Sequence, residues 1–383
     1  MQFVHSEEQQ MIRASARELL RGYSSERMRA AMRAPGAYDA PLWRQMSGEL
    51  GWSGLALPEQ YGGGGLGWVE LCILQEELGR RLVASPFFAT VALAASLVRE
   101  AGSEAQREAL LRPIAAGSVR IACALAGSDG RPPPEGVSVR LESRAGRMSL
   151  TGVSDFVIHA DSADLLLVLA RVGEPGDLAL AVLPATTAGI TIRPHVMLDL
   201  TRPMSRVTFE NVGLRAEERL GMPDASAPAL ARGLDLARIA LASEALGGAQ
   251  QLLEMTTEYV KQRVQFGRPI GSFQALKHRL ADMMVEVEAA KSAAWYAACV
   301  ADEGGEELAE AAAIAKSYCC DAFYDCAANA IQLHGGIGFT WEHDAHLYFK
   351  RARASATLLG SPAWHRERML QVLNLGAAAT PVF

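Results

Sequence analysis

Lysine is scarce in this 383-residue sequence: only five of 37 basic side chains are Lys, the first at Lys261. With 43 acidic residues the formal net charge is −6, so no basic field exists to attract nucleic acid or an anionic membrane. The lysine shortage itself reads as coding bias. Cysteine is equally uninformative as a framework: the six residues (72, 123, 299, 319, 320, 326) include no C-x-x-C, which argues against thiolate zinc and disulfide scaffolds. They read as small buried residues in a reducing compartment. Long apolar runs are missing as well. The longest uncharged stretch, Leu82 to Val98, contains Pro86, two Ser and a Thr, and falls short of the ~20 apolar residues a membrane span needs. The start, Met1-Gln2-Phe3-Val4-His5-Ser6-Glu7-Glu8, is acidic where a secretory leader is basic, so the expectation is a cytoplasmic protein. No glycine precedes a lysine, which rules out a P-loop.

What the chain does have is apolar mass, 50% of its residues, enough for large cores and against disorder. At roughly 150 residues per domain, two or three domains are expected. One motif is a decoy. Gly62-Gly63-Gly64-Gly65-Leu66-Gly67 satisfies G-x-G-x-x-G, but Leu57-Pro58-Glu59-Gln60-Tyr61 before it is a turn rather than a strand, so it reads as a flexible connector between helices. His343 and His346 share a spacing that fits one helix face. Without a third ligand they read as helix-start polar residues, and no metal site is expected.

Three zones follow one another. Residues 1–117 show helical periodicity, as in Leu71, Leu74 and Leu78. Residues 118–225 are punctuated by proline and hold strand-like runs such as Leu165-Leu166-Leu167-Val168-Leu169 and the alternating Arg206-Val207-Thr208-Phe209-Glu210. Residues 226–383 are helical again, with Phe273, Leu276, Leu280, Met283, Met284 and Val287 placed on one stripe. The expected class is α+β multidomain: an N-terminal α-helical domain, a middle β-barrel or sandwich domain, and a C-terminal four-helix bundle.

Two segments carry more specific chemistry. In Tyr259-Val260-Lys261-Gln262-Arg263-Val264-Gln265-Phe266-Gly267-Arg268-Pro269, a helix is expected to end near Gly267 and the next to open near Ser272. Arg263 could hold a diphosphate in its guanidinium fork, and Gln274 could bond a neighbouring polar group; an ordinary salt-bridged corner would use the same residues. In Gln332-Leu333-His334-Gly335-Gly336-Ile337-Gly338, the glycines permit close backbone approach to a ligand or subunit, or simply a tight turn. Together with the three-zone order, these segments resemble the acyl-CoA dehydrogenase family of flavoproteins over essentially the whole chain.

That resemblance implies an FAD cofactor between the β domain and the C-terminal bundle, a tetramer built as a dimer of dimers, and an acyl-CoA substrate. It implies FAD contacts by Arg263, Gln265, Phe266, Gln274, Gln332, Leu333, Gly335 and Gly336, Arg263 reaching a neighbouring subunit's diphosphate. Asp235 and Arg238 match residues that touch the acyl-CoA, and an electron-transfer flavoprotein is the implied electron acceptor. Departures are equally specific. The Thr of the family's flavin loop falls on Ala126, and its W-I-T-N motif is replaced by Phe156-Val157-Ile158-His159. The family's catalytic Glu, about 24 residues beyond the first Gly of the Gly-Gly loop, falls on Leu359; the alternative Glu position falls on Ala237. Glu244, seven residues after Ala237 on the same helix face, lies about 10 Å along the helix, so it is a weak candidate base and better suited to an ion pair. The chain is then expected to act alone and slowly, as a homo-tetramer, or within a hetero-tetramer; the alternative is a non-catalytic, FAD-contacting subunit pairing with a Glu-bearing paralogue.

Overall fold

The computed structural model describes residues 5–144, 146–173, 177–221 and 226–373. Six helices precede the strands: α1 (Glu7–Arg21), α2 (Ser25–Ala31), α3 (Ala40–Arg44), α4 (Trp68–Arg80), α5 (Ala95–Ala101) and α6 (Glu104–Ala115). Eight strands follow: β1 (Ile121–Ala124), β2 (Arg140–Arg144), β3 (Arg147–Ile158), β4 (Leu165–Val172), β5 (Asp177–Pro184), β6 (Ile190–Pro194), β7 (Met204–Leu214) and β8 (Arg219–Leu220). The remainder comprises α7 (Ser226–Gln262), a hairpin of β9 (Val264–Gln265) and β10 (Arg268–Pro269), then α8 (Gln274–Glu303), α9 (Leu308–His334), α10 (Ala345–Thr357) and α11 (Pro362–Val372). None of the described helices is long and apolar enough to cross a membrane.

Two compact units emerge, and they do not follow chain order. One draws on the chain up to Met28, on Trp68–Val83 and on everything from Arg238 onward; the other on Arg29–Gly67 and Ala84–Ala237. In the second unit the sheet runs β6-β7-β3-β2-β4-β5-β8, with β1 added parallel to β4. Alternation in β7 sends Val207 and Phe209 into the core and Arg206 and Glu210 outward. The run Leu166–Ala170 of β4 is buried at every position, so both faces of the sheet are covered there. The glycine run is not a flexible connector. Gly64 and Gly65 donate to the carbonyls of Gly54 and Leu57 at 2.9 Å, and a Cβ on Gly63 would strike the Leu57 carbonyl, so the loop is a fixed, glycine-dependent fold.

The first unit is a helix bundle. Buried Glu76 and Glu77 of α4 hold α1 in place: Arg13 grips Glu76 in a bidentate pair at 2.6 and 2.9 Å, and Arg17 reaches Glu77 at 3.0 Å. Where α4 crosses α7, Gly79 and Gly247 let the backbones touch. A Cβ at Gly79 would strike the Glu244 carbonyl, and one at Gly247 the Glu76 carbonyl. On α8 the apolar stripe is narrower than expected: Met283 and Val287 are buried, but Met284, one residue and about 100° further round the helix, is 57% exposed. The six cysteines are buried thiols outside any disulfide.

Candidate active site

Leu359, the position to which the resemblance assigns the family's carboxylate, lies in a tight turn between α10 and α11. Leu359 adopts φ +56° and Gly360 φ +110°, and a Cβ on Gly360 would come within 2.7 Å of the Trp364 ring. The Leu359 carbonyl accepts two hydrogen bonds at 3.1 Å, from Arg238 Nε of α7 and from His365 Nε2 of α11. Arg238 is fully enclosed, its guanidinium 5.2 Å from the Trp364 ring centre. Leu359 is only 8% exposed, yet among the described residues its own N–H has no acceptor. A buried backbone donor left without a partner costs free energy and marks a place that a ligand oxygen can fill.

Of the other residues expected here, Asp235 is buried on α7 three residues before Arg238, and Ala237 is completely buried. Glu244 does not face an open site. Its carboxylate bonds Arg351 Nη1 at 2.7 Å, with both side chains under 10% exposed. Sequence reading missed Arg351 and His365, which lie beyond the quoted motifs.

The two motif segments come together in the same unit. The first differs from expectation: α7 stops at Gln262, and a hairpin rather than a helix end carries Phe266 and Gly267 at φ +54° and +78°. This hairpin is closed by Ile270 N–H donating to the Arg263 carbonyl at 2.8 Å. It presents Arg263, Gln265 and a 90% exposed Phe266 outward, with Gln274 exposed at the start of α8. The second segment ends α9 with Gly335 at φ +66°, ψ −144°, a conformation essentially reserved for glycine. Gln332, Gly335 and Gly336 are exposed, and Leu333 is buried. The link is Tyr259, one turn before Arg263. Its ring stacks on His334 at 4.3 Å, and its hydroxyl donates to the His334 carbonyl at 3.3 Å. His334 Nδ1 donates to the Ala330 carbonyl at 2.7 Å, which leaves Nε2 a buried lone pair without a partner. Tyr259 and His334 both stand inside the quoted segments, so adjacency to motif residues was the signal that could have found them. His343 packs 4.3 Å from His334, and its Nδ1 accepts the Ala345 N–H at the opening of α10, a helix-start role. Among the described residues, no group of three or more His, Cys, Asp or Glu could hold a metal.

In the sheet unit, Ala126 forms an isolated bridge to Asp155, whose carboxylate is held by Arg206 at 2.6 and 3.0 Å and by His195. Phe156, at φ +56° and 41% exposed, stacks on His195 at 5.6 Å. A cavity of about 400 Å³ lies elsewhere in the helical unit, bounded by α1, α4, α7 and α8 and lined by His5, Arg13, Cys72, Glu76 and Trp295; it contains none of the expected site residues.

His365 yields a pH test. Burial, then the charges of Arg238 and Lys316, push its pKa down from 6.5 to about 2, so the folded protein keeps it neutral. The unfolded chain binds this proton below pH 6.5 and the folded one does not, so stability is full above that pH and falls as the pH drops toward about 2. Between pH 7 and 5 this group alone removes about 2 kcal/mol. Urea denaturation at the two pH values should show that loss, and His365→Gln should shed it; an equal loss in the variant refutes the assignment.

The chain thus runs from helices through a sheet to helices again, and its α10–α11 turn carries a buried backbone donor braced by Arg238 and His365. Comparison with known proteins supplies the family. The sequence matches the acyl-CoA dehydrogenase N-terminal domain over residues 6–118 and the acyl-CoA dehydrogenase C-terminal domain over residues 228–373. It is 36% identical over 363 residues to acyl-CoA dehydrogenase IpdE2 of Mycobacterium tuberculosis, covering 93% of this chain and 94% of that protein. Among solved structures it resembles the Tcur3481-Tcur3483 steroid ACAD, determined as a variant, with TM-score 0.86, 32% identity, and coverage of 97% and 99%. It also resembles the ChsE4-ChsE5 complex from Mycobacterium tuberculosis, with TM-score 0.88, 26% identity and full coverage of both chains. The chain belongs to the acyl-CoA dehydrogenase family and is an oxidoreductase of the class that acts on CH–CH bonds.

Proposed function

We propose that this chain dehydrogenates an acyl-CoA thioester between its α and β carbons, using FAD, alone or within a hetero-tetramer. The unpaired N–H of buried Leu359 carries the reading: it is the donor that a thioester carbonyl oxygen would take, and polarising that oxygen acidifies the α C–H. Arg238 and His365 hold the turn that presents it. The residues also fit the cofactor. Arg263, Gln265, Gln274 and Gln332 are exposed, and among the described residues their side chains make no hydrogen bond, so donors for a diphosphate and its nucleotide remain unspent. FAD, when bound, accepts the β-hydrogen as hydride. Arg263 and the exposed Phe266 would meet it, with Gln332, Gly335 and Gly336 at its adenosine end and Asp235 and Arg238 toward the acyl-CoA.

Neither family carboxylate position supplies an acceptor for the α-proton, because the side chains of Leu359 and Ala237 carry no basic group. That vacancy favours a dimer-of-dimers tetramer with a carboxylate-bearing paralogue over a fast homomeric enzyme. The ChsE4-ChsE5 complex shows a relative pairing two named components. A cytoplasmic location and an electron-transfer flavoprotein as acceptor complete the reading. The test is purification of the chain alone, flavin absorbance, and turnover of straight-chain and ring-bearing CoA thioesters with an artificial acceptor. Slow turnover alone, or turnover restored by the paralogue, supports the reading; a colourless protein that binds no acyl-CoA in either state ends it.

A further inference from the structure

We infer that Lys316 is a positioning residue for the acyl carbonyl, holding the Leu359 turn together with Arg238 and His365; the inference rests on the function proposed above. Lys316 lies in an alanine-rich stretch of α9, Ala311-Ala312-Ala313-Ile314-Ala315-Lys316, and is completely buried. A buried lysine is expensive unless each N–H finds an acceptor. Here all three do: Nζ donates to the carbonyls of Ser355 and Ala356 at 3.0 Å and of Gly360 at 2.7 Å. Three acceptors around one nitrogen call for an ammonium, since a neutral amine has only two N–H groups. Burial first, and the nearby charge of Arg238, pull its pKa down from 10.5, while Cys320 and Asp321 push the other way.

Two of those carbonyls belong to the last turn of α10, where no further helical N–H is available and the helix dipole favours a cation. The third lies just beyond Leu359. The carbonyls of Leu359 and of Gly360 just beyond it are thus fixed by donors from α7, α11 and α9. A leucine at φ +56° is a strained conformation that persists only when its surroundings over-determine it. Release the Lys316 grip and Leu359 can relax toward negative φ, which turns its N–H away from any bound carbonyl.

Carbonyl recognition itself is the readout. The purified holoprotein is titrated calorimetrically with an acyl-CoA thioester and with the matching thioether, which replaces C=O by CH₂. The natural chain should prefer the thioester about tenfold, one hydrogen bond's worth. Lys316→Met should bring that ratio close to one while thioether affinity stays within about threefold. A variant that keeps the tenfold ratio overturns the inference, because a purely structural lysine would weaken both ligands together or neither. Should Lys316→Met fail to fold, His365→Leu decides by the same ratio, since it cuts another arm of the same brace. Failure of the natural chain to bind either ligand overturns the acyl-CoA reading itself, and a natural ratio of one overturns carbonyl recognition at Leu359.

Discussion

Leu359→Glu should convert the isolated chain into a markedly faster acyl-CoA dehydrogenase, with kcat higher by about 10²–10⁴, the usual worth of a positioned general base. Leu and Glu are close in volume, so the substitution adds a carboxylate to the 8% exposed position without overpacking the turn. Backbone strain is unchanged, because both residues meet the same positive φ and the turn is held through its carbonyls. Burial would raise the new carboxyl's pKa while the cations Arg238 and Lys316 that brace the turn would lower it, a balance suited to a base that must both accept and release a proton. Two controls isolate the effect. Leu359→Gln has the shape without the base and should gain nothing. Ala237→Glu tests the family's other carboxylate position, but Ala237 has no exposed surface and a longer side chain there overpacks, at a cost of about 1–3 kcal/mol. The gain should be specific to residue 359, and its rate should acquire a limb that rises with pH as the new carboxyl ionises. Equal rates for Leu359→Glu and Leu359→Gln would mean that residue 359 does not lie beside the substrate's α-carbon.

How much of this was visible in the sequence depends on the range of each interaction. The helix–strand–helix order was legible because proline and hydrophobic period are local. Leu359 was singled out by a count along the chain from Gly335, and the structure places it on a buried turn. The β9–β10 hairpin was not, since two-residue strands are too short to leave a period of two, and Pro269 after Gly267 read simply as a turn. The rigid fold of Gly62–Gly65 was also hidden: tandem glycines permit many backbones, and only the carbonyls of Gly54 and Leu57 select one. Least visible was the brace around Leu359. Its donors, Arg238, Lys316 and His365, come from three helices, and nothing local marks Lys316 except its isolation among alanines. Grouping of α1 and α4 with the C-terminal helices follows from the part-buried Arg13–Glu76 pair and the Gly79–Gly247 crossing, contacts between residues scores of positions apart.

Glu244→Ala should cost about 3–5 kcal/mol of stability and leave catalysis per folded molecule unchanged. The carboxylate and Arg351 are 7% and 4% exposed and 2.7 Å apart, so the pair belongs to the class in which removing one member strips a buried charge of its bonded counter-charge. Salt should do little to the difference, because ions cannot screen a pair they cannot approach. Glu244→Gln should lose less, since its amide oxygen can still accept from Arg351 Nη1 while the charge is gone. Denaturant titration gives the stability change, and turnover normalised to folded protein gives the chemistry. The two readouts separate a general base from a structural ion-pair partner at Glu244. A base would lose about 10²–10⁴ in rate in the Gln variant with little change in stability, whereas a structural ion pair loses stability and keeps its rate. The 2.7 Å bond to Arg351 predicts the second pattern, and a rate collapse in a stable Glu244→Gln protein would reverse the assignment.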